Sequence, residues 1–132
     1  MMMFTAIALG GAIGAMCRYA TSLLIISIWG AGVQPAATLL VNALGSGLMG
    51  CGYARIGLGL AMPEPLRGLV LVGFLGSLTT FSSFSMDVIS MVEKGMVGVA
   101  LGYALASVVV SLLSFVMMMG LVRALAGGIH GF

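Results

Sequence analysis

Apolar residues fill four long stretches of the chain, and most of the charged and proline positions fall between them. The stretches run over about residues 3–26, 35–54, 66–92 and 96–125. A helix needs roughly 20 apolar residues to cross the hydrocarbon core of a bilayer. The pattern therefore predicts an all-α integral membrane protein, in which residues 1–132 form a single domain of four transmembrane helices.

The composition agrees with this pattern and excludes several classes of protein. The 132 residues are 61% hydrophobic and 6% charged, whereas soluble domains carry about a quarter charged residues. The net charge of +2 is too small and scattered for binding nucleic acid. Cys17 and Cys51 have no partners at metal-ligand spacing, and His130 is interpreted as a tail residue. No base, nucleophile or metal cluster indicates an enzyme.

The charged residues give little information about orientation. Four spans place both termini on one side of the membrane, together with Arg55, Arg67 and Arg123. Lys94 lies on the other side, as does Arg18 if it is late in the first span. This small bias leaves two alternatives open under the positive-inside rule. Either the chain inserts both ways round and pairs as an antiparallel dimer, or Arg55 and Arg67 set a single orientation.

Small residues are abundant in the first two spans. Gly10 and Gly14 form a GxxxG pair in the first span, and four glycines crowd residues 45–52. Such residues let helix backbones approach closely in lipid. They predict tight helix packing and say nothing about chemistry.

Polar residues form a stripe on each of two predicted helices. A spacing of three or four residues keeps side chains on one helical face. The stripes could line a polar route through the membrane, or they could bond neighbouring helices together. The second span carries Thr38, Asn42 and Ser46, and the fourth carries Tyr103, Ser107, Ser111 and Ser114.

The segment "GFLGSLTTFSSFS", residues 73–85, concentrates six hydroxyl side chains within the third span. Gly76 and the hydroxyls are poor helix formers, so the segment predicts a break near residues 76–80. Freed carbonyls there could coordinate a cation, and the N-terminus of the following helix favours an anion. A plain kink without a bound ion is the alternative. Phe81 and Phe84 could solvate an anion with their ring edges or could simply pack.

These residues resemble the Fluc, or CrcB, family of fluoride channels. Residues 73–85 are similar to the family signature GFxGGxTTFSTFS, and "GGAIGAMCRYATS", "TLLVNALGSGLMG" and "LGYALASVVVS" resemble its motifs in spans one, two and four. The resemblance covers nearly the whole chain. It implies a passive, fluoride-selective channel of the inner membrane that exports F⁻ from the cytoplasm and relieves fluoride toxicity. It also implies a dual-topology homodimer in lipid, with two antiparallel pores.

The resemblance further implies roles for individual residues. Backbone carbonyls of Gly76 and Thr79 correspond to those that hold a central structural Na⁺, and Arg18 corresponds to an arginine near the pore entrance. Ser77 and Ser83 depart from the signature, which has Gly and Thr there. We expect the ion site to survive Ser77, because carbonyls do the coordinating. The implied pore residues are Asn42, Thr80, Phe81, Phe84, Tyr103, Ser107 and Ser111.

Two other functions remain as alternatives. A small dual-topology multidrug or cation exporter needs a carboxylate embedded in the membrane, but the first span carries Arg18 and no acid. A non-transporting membrane scaffold would use the polar stripes only to hold helices together.

Overall fold

The computed structural model describes residues 1–60 and 62–129, so the interpretation of His130 lies outside the described residues. Within these ranges the chain is helical, without β-strands. The first two helices are joined by a short 3₁₀ turn, and the third helical segment is divided into several pieces. In order, the elements are α1 (Met2–Trp29), the turn Ala31–Val33, α2 (Gln34–Gly57), α3 (Glu64–Arg67), a π-helix (Gly68–Leu75), α4 (Gly76–Leu78), α5 (Phe81–Glu93) and α6 (Val97–Ile129).

The helices match the four predicted apolar stretches, with ends that extend by about one turn. Where α1, α2 and α5 end, the chain reverses through a glycine in the left-handed backbone region. These are Gly30 (φ 87°), Gly59 (φ 69°) and Gly95 (φ 76°). Glycine adopts this conformation without the steric cost that a Cβ brings, so the helix ends were encoded locally.

Three helical segments are long and apolar enough to cross a membrane within the described part of the chain. They are Met2–Trp29, Glu64–Glu93 and Val97–Gly127, of 28, 30 and 31 residues. The protein is therefore a multi-pass membrane protein. Helix α2 has 24 residues and, at 1.5 Å per residue, is about 36 Å long. Its glycines and Asn42 make it less apolar than the other three segments.

Close backbone contacts between helices occur at the glycines. Gly50 of α2 lies against the backbone of Phe115 in α6, where an added Cβ would come within 3.2 Å of the Phe115 Cα. Gly10 and Gly14 of α1 face the backbone of Leu69 and Phe74 in the π-helix. The packing role predicted for the GxxxG pair is confirmed.

The predicted break in the third segment is confirmed and is narrower than expected. Gly76–Leu78 still forms one helical turn, and the break consists of Thr79 and Thr80. The π-helix before it was not predicted. A π-helix uses i→i+5 hydrogen bonds and has no strong local signal in a sequence. Here it lies against α1, at the contact that Gly10 and Gly14 make possible.

Candidate functional site

The two threonines of the break have extended backbones and end one helix while starting the next. Thr79 has φ −75° and ψ 153°, and Thr80 has φ −152° and ψ 122°. The backbone N–H and the hydroxyl of Thr79 both donate to the Leu75 carbonyl, at 3.1 and 2.9 Å. The Thr80 Oγ1 accepts a hydrogen bond of 3.1 Å from the Ser83 N–H, as an N-cap of α5. Each threonine therefore satisfies the helix end on its own side.

Asn42 of α2 binds the break through its side-chain amide. Its Oδ1 accepts from the Thr80 N–H at 2.7 Å, and its Nδ2 donates to the Thr80 carbonyl at 3.1 Å. In a continuous α-helix the Thr80 N–H would donate to the Gly76 carbonyl. That carbonyl therefore lacks its regular helical donor.

A group of hydroxyls surrounds the start of α5. The buried Thr80 hydroxyl donates to the Ser83 Oγ at 3.2 Å. The Ser82 Oγ lies 3.2 Å from the Thr80 Oγ1. Since a hydroxyl has one hydrogen to donate, Ser82 is the donor in that second contact. The Thr80 side chain is thus used mainly within the helix cap, although the residue also lines the neighbouring cavity.

A cavity of about 470 Å³ lies beside the break, between α2, α5 and α6. It brings together most of the residues that the sequence marked from three different spans. Its wall also contains Ser46 of the α2 stripe, and apolar residues such as Met49 and Leu112. The predicted site residues in its lining are Asn42, Gly76, Thr79, Thr80, Phe81, Phe84, Ser107 and Ser111.

Ser107 is the buried polar group of this cavity that stands without a partner. Only 4% of its surface is exposed, and its Oγ makes no hydrogen bond within the described part of the chain. Burying a hydroxyl without a hydrogen bond costs roughly 1–3 kcal/mol. A polar ligand that gained access to this enclosed oxygen would remove that cost.

Three aromatic rings follow one another along the edge of the site. The ring centroids of Phe81 and Phe84 are 5.4 Å apart, and those of Phe84 and Tyr103 are 5.7 Å apart. These distances are typical of tilted aromatic pairs. Tyr103 is therefore connected to the site through Phe84, although it does not line the cavity itself.

Asp87 belongs to the same region and was not singled out as a site residue by the sequence. In the sequence alone, Asp87 fits either a partner for an arginine or a marker of the membrane edge. Instead it is 6% exposed and accepts a hydrogen bond of 3.2 Å from the Tyr103 hydroxyl. The available signal was its spacing, because Asp87 lies three residues after Phe84 and so shares its helical face.

Arg18 and Ser77 lie outside the cavity. Arg18 was expected late in the first span, but α1 continues to Trp29, so Arg18 lies closer to the middle of the helix. It is not part of the cavity lining, and its entrance role stays a prediction. The Ser77 Oγ is directed towards α1, 3.3 Å from where a Cβ on Gly11 would lie. This departure from the signature therefore adds no side chain to the cavity.

Comparison with known proteins identifies close relatives over most of the chain. Residues 5–121 match the family described as CrcB-like protein, Camphor Resistance (CrcB). A fluoride-specific ion channel FluC of Rhodospirillum centenum is 44% identical over 112 residues, covering 84% of this chain and 87% of the relative. Proteins of the same name from Deinococcus radiodurans and Granulibacter bethesdensis are 42% and 36% identical over 125 and 128 residues. They cover 95% and 97% of this chain, and 91% and 100% of their own lengths.

Proposed function

The chain belongs to the CrcB family, and on that premise we propose that it is a passive channel that exports fluoride from the cytoplasm through the inner membrane. Relatives that match most of its length are named fluoride-specific ion channels. Ion channels are not enzymes, in agreement with the sequence. The observation that carries the proposal at the site is Ser107, whose buried hydroxyl has no hydrogen-bond partner among the described residues and lies at the cavity beside the helix break.

The chemistry of the cavity suits a small, strongly hydrated anion. A permeating ion needs groups that replace its water shell, and hydroxyls such as those of Ser107 and Ser111 can donate hydrogen bonds to it. The cavity also borders the N-terminal end of α5, where the helix dipole favours negative charge. The rings of Phe81 and Phe84 offer weakly positive edges.

A passive mechanism is sufficient for export. Hydrogen fluoride crosses membranes as the neutral acid and dissociates near neutral pH, so fluoride accumulates inside. An inside-negative potential drives an anion outward by about 2.3 kcal/mol per charge for each 100 mV. The protein therefore needs only to lower the barrier for the ion.

The exposed side of the break supports assembly with a second copy of the chain. Gly76, Phe81 and Ser82 are exposed in the single chain. Irregular backbone and hydroxyls at membrane depth are stable only when protein or water covers them. We propose that α2 also crosses the membrane, which gives four spans in total, and that a second, oppositely inserted copy covers this face. Such an antiparallel homodimer contains two pores.

The same break could hold the structural Na⁺ that the resemblance to the family implies. Unwound backbone carbonyls coordinate Na⁺ in other broken membrane helices. The Gly76 carbonyl lacks its regular helical donor, and Gly76 and Thr79 both line the cavity. Two carbonyls from each chain of a dimer would hold the ion, and its charge would reduce the cost of bringing an anion into a medium of low dielectric constant.

Fluoride efflux from liposomes tests the proposed function. The purified protein is reconstituted with internal fluoride or chloride, and the released ion is measured with an ion-selective electrode. We expect rapid loss of fluoride with chloride retained, and no loss from protein-free liposomes. Retention of fluoride by liposomes that contain well-inserted protein would contradict the proposal and leave the polar stripes as packing contacts.

A further inference from the structure

We propose that Asn42 and Gly45 of α2 form a socket for the helix break, and that Asn42 is a positioning residue that acts by holding the Thr80 backbone. The conduction part of this inference rests on the proposed function. The structural part rests on contacts within the single chain. The two parts are therefore tested by different measurements.

The first argument is that Asn42 provides the bonds that tie the Thr80 backbone to another helix. The Thr79 N–H and hydroxyl both donate to the carbonyl of Leu75, the last residue of the π-helix, and the Thr80 hydroxyl caps the start of α5. The Thr80 N–H and carbonyl instead bond the two ends of the Asn42 amide, at 2.7 and 3.1 Å. The direction that the chain takes through the break therefore depends on α2.

The second argument is that Gly45 receives the other residue of the break. It lies three residues after Asn42 and so shares its helical face. A Cβ on Gly45 would overlap the Thr79 Cγ2 and would lie 3.8 Å from the Thr79 Cβ. The missing side chain is thus the space that the Thr79 methyl occupies. Asn42 holds one threonine by hydrogen bonds, and Gly45 admits the other by its size.

The third argument concerns how much of Asn42 is left for an ion. A carboxamide has one oxygen and two N–H donors. The oxygen and one N–H are used by Thr80, so a single N–H is free. Asn42 thus bonds the N–H and the carbonyl of the same residue, which fixes the two peptide units on either side of the Thr80 Cα. The socket thereby sets where the Gly76 and Thr79 carbonyls stand relative to Phe81.

Amide hydrogen exchange of Thr80 tests these two hydrogen bonds without any measurement of transport. Asn42→Ala removes the acceptor of the Thr80 N–H, and we expect that amide to exchange roughly tenfold faster in the full-length reconstituted protein. Asn42→Asp keeps an acceptor oxygen and should keep the exchange slow. Thr21→Ala, which removes a hydroxyl bonded only to the Cys17 carbonyl of its own helix, is the control and should leave Thr80 unchanged.

A size-complementation cycle tests the socket by a second route. Gly45→Ala removes no polar group, yet it should accelerate Thr80 exchange and reduce fluoride efflux several-fold, because its Cβ displaces the Thr79 methyl. Adding Thr79→Ser removes that methyl and keeps the hydroxyl that bonds Leu75. The double variant should recover most of both losses. Such recovery is expected only of residues that share one space.

Unchanged Thr80 exchange in Asn42→Ala, with fluoride efflux lost, would overturn the proposal and make Asn42 a direct contact of the ion. Failure of Thr79→Ser to rescue Gly45→Ala would overturn the role of Gly45. If Asn42→Ala does not fold, the Gly45–Thr79 cycle still decides the matter. Absence of fluoride efflux from the unsubstituted protein would refute the proposed function, while the exchange data would continue to test the socket.

Discussion

Phe81 and Phe4 are both exposed on the surface of a single chain, at 77% and 79%, but their surroundings differ. Phe4 lies near the start of α1. Phe81 lies at the start of α5, lines the cavity and packs on Phe84. Exposure alone therefore does not identify a functional aromatic residue, whereas the residues that it contacts do.

We expect Phe81→Ile to lower fluoride efflux by about tenfold or more, because an aliphatic side chain has no polarised ring edge to offer an anion and loses the contact with Phe84. Phe4→Ile is the matched control and should conduct normally. Fluoride efflux of each variant is recorded with an electrode, and its elution volume in size-exclusion chromatography shows whether its assembly is unchanged. Equal efflux from both variants would contradict the assignment of Phe81 to the pore.

Ser107 leads to a prediction in which stability and transport change differently. We expect Ser107→Ala to lower fluoride efflux, because a donor of the cavity is lost. Its free energy of unfolding should stay the same or rise by up to about 2 kcal/mol, since a buried hydroxyl without a hydrogen bond is removed. Ser27→Ala, whose hydroxyl bonds the Leu24 carbonyl in its own helix, should change neither. A large loss of stability in Ser107→Ala would show that the hydroxyl is structural.

At the scale of elements, the contact between α2 and α6 depends on backbones that approach at glycine. Gly50 meets the backbone of Phe115, which cannot move aside as a flexible side chain can. The same helix α2 carries Asn42 and Gly45, which hold the break. The packing of α2 against α6 therefore positions one wall of the cavity relative to the other.

Gly50→Ala should destabilise the protein by roughly 1–3 kcal/mol, as overpacking of a tight contact does. Gly120→Ala in α6, where an added Cβ meets nothing within 4 Å, should be neutral or stabilising by up to about 1 kcal/mol, because alanine is the better helix former. Denaturant titration in a single detergent measures the free energy of unfolding of the two variants and of the unsubstituted protein. Similar stabilities would show that the helices can separate at little cost.

At the scale of the whole molecule, the distribution of charge and the exposed break both bear on the proposed antiparallel dimer. Arg55, at the end of α2, Arg67, at the end of α3, and Arg123, late in α6, stand against Lys94, which follows α5. Arg18 lies near the middle of α1 and adds little to either side. The bias is then three residues against one, and the proposed dual topology requires both orientations to be accessible in spite of it. Gly76, Phe81 and Ser82 are exposed in the single chain, and pairing of oppositely inserted copies would cover them.

We expect peptide tags on the two termini to be accessible from both faces of the membrane. Lys94→Glu, which removes the positive charge from the loop after α5, should shift the population towards one orientation and reduce assembly, because the positive-inside rule then acts more strongly. Protease protection in spheroplasts and inverted vesicles measures both. Tags reached from a single face in the unsubstituted protein would contradict dual topology.

The sequence by itself determined the class of protein, the helices and the location of the break. Apolar runs and glycine-ended helices are local features, and the hydroxyl-rich segment weakens its own helix wherever it lies. The family motifs also identified residues from three spans that meet in one cavity. Their proposed roles towards fluoride and Na⁺ remain predictions.

Only the tertiary structure decided which groups satisfy one another. Asn42 and Thr80 are 38 residues apart, and no spacing in the sequence pairs an amide with a particular peptide unit. The Tyr103 bond to Asp87, the π-helix against α1 and the position of Ser77 away from the cavity likewise depend on how helices pack. Local propensity acts within a few residues, whereas a buried polar group is satisfied by whatever the fold brings within about 3 Å.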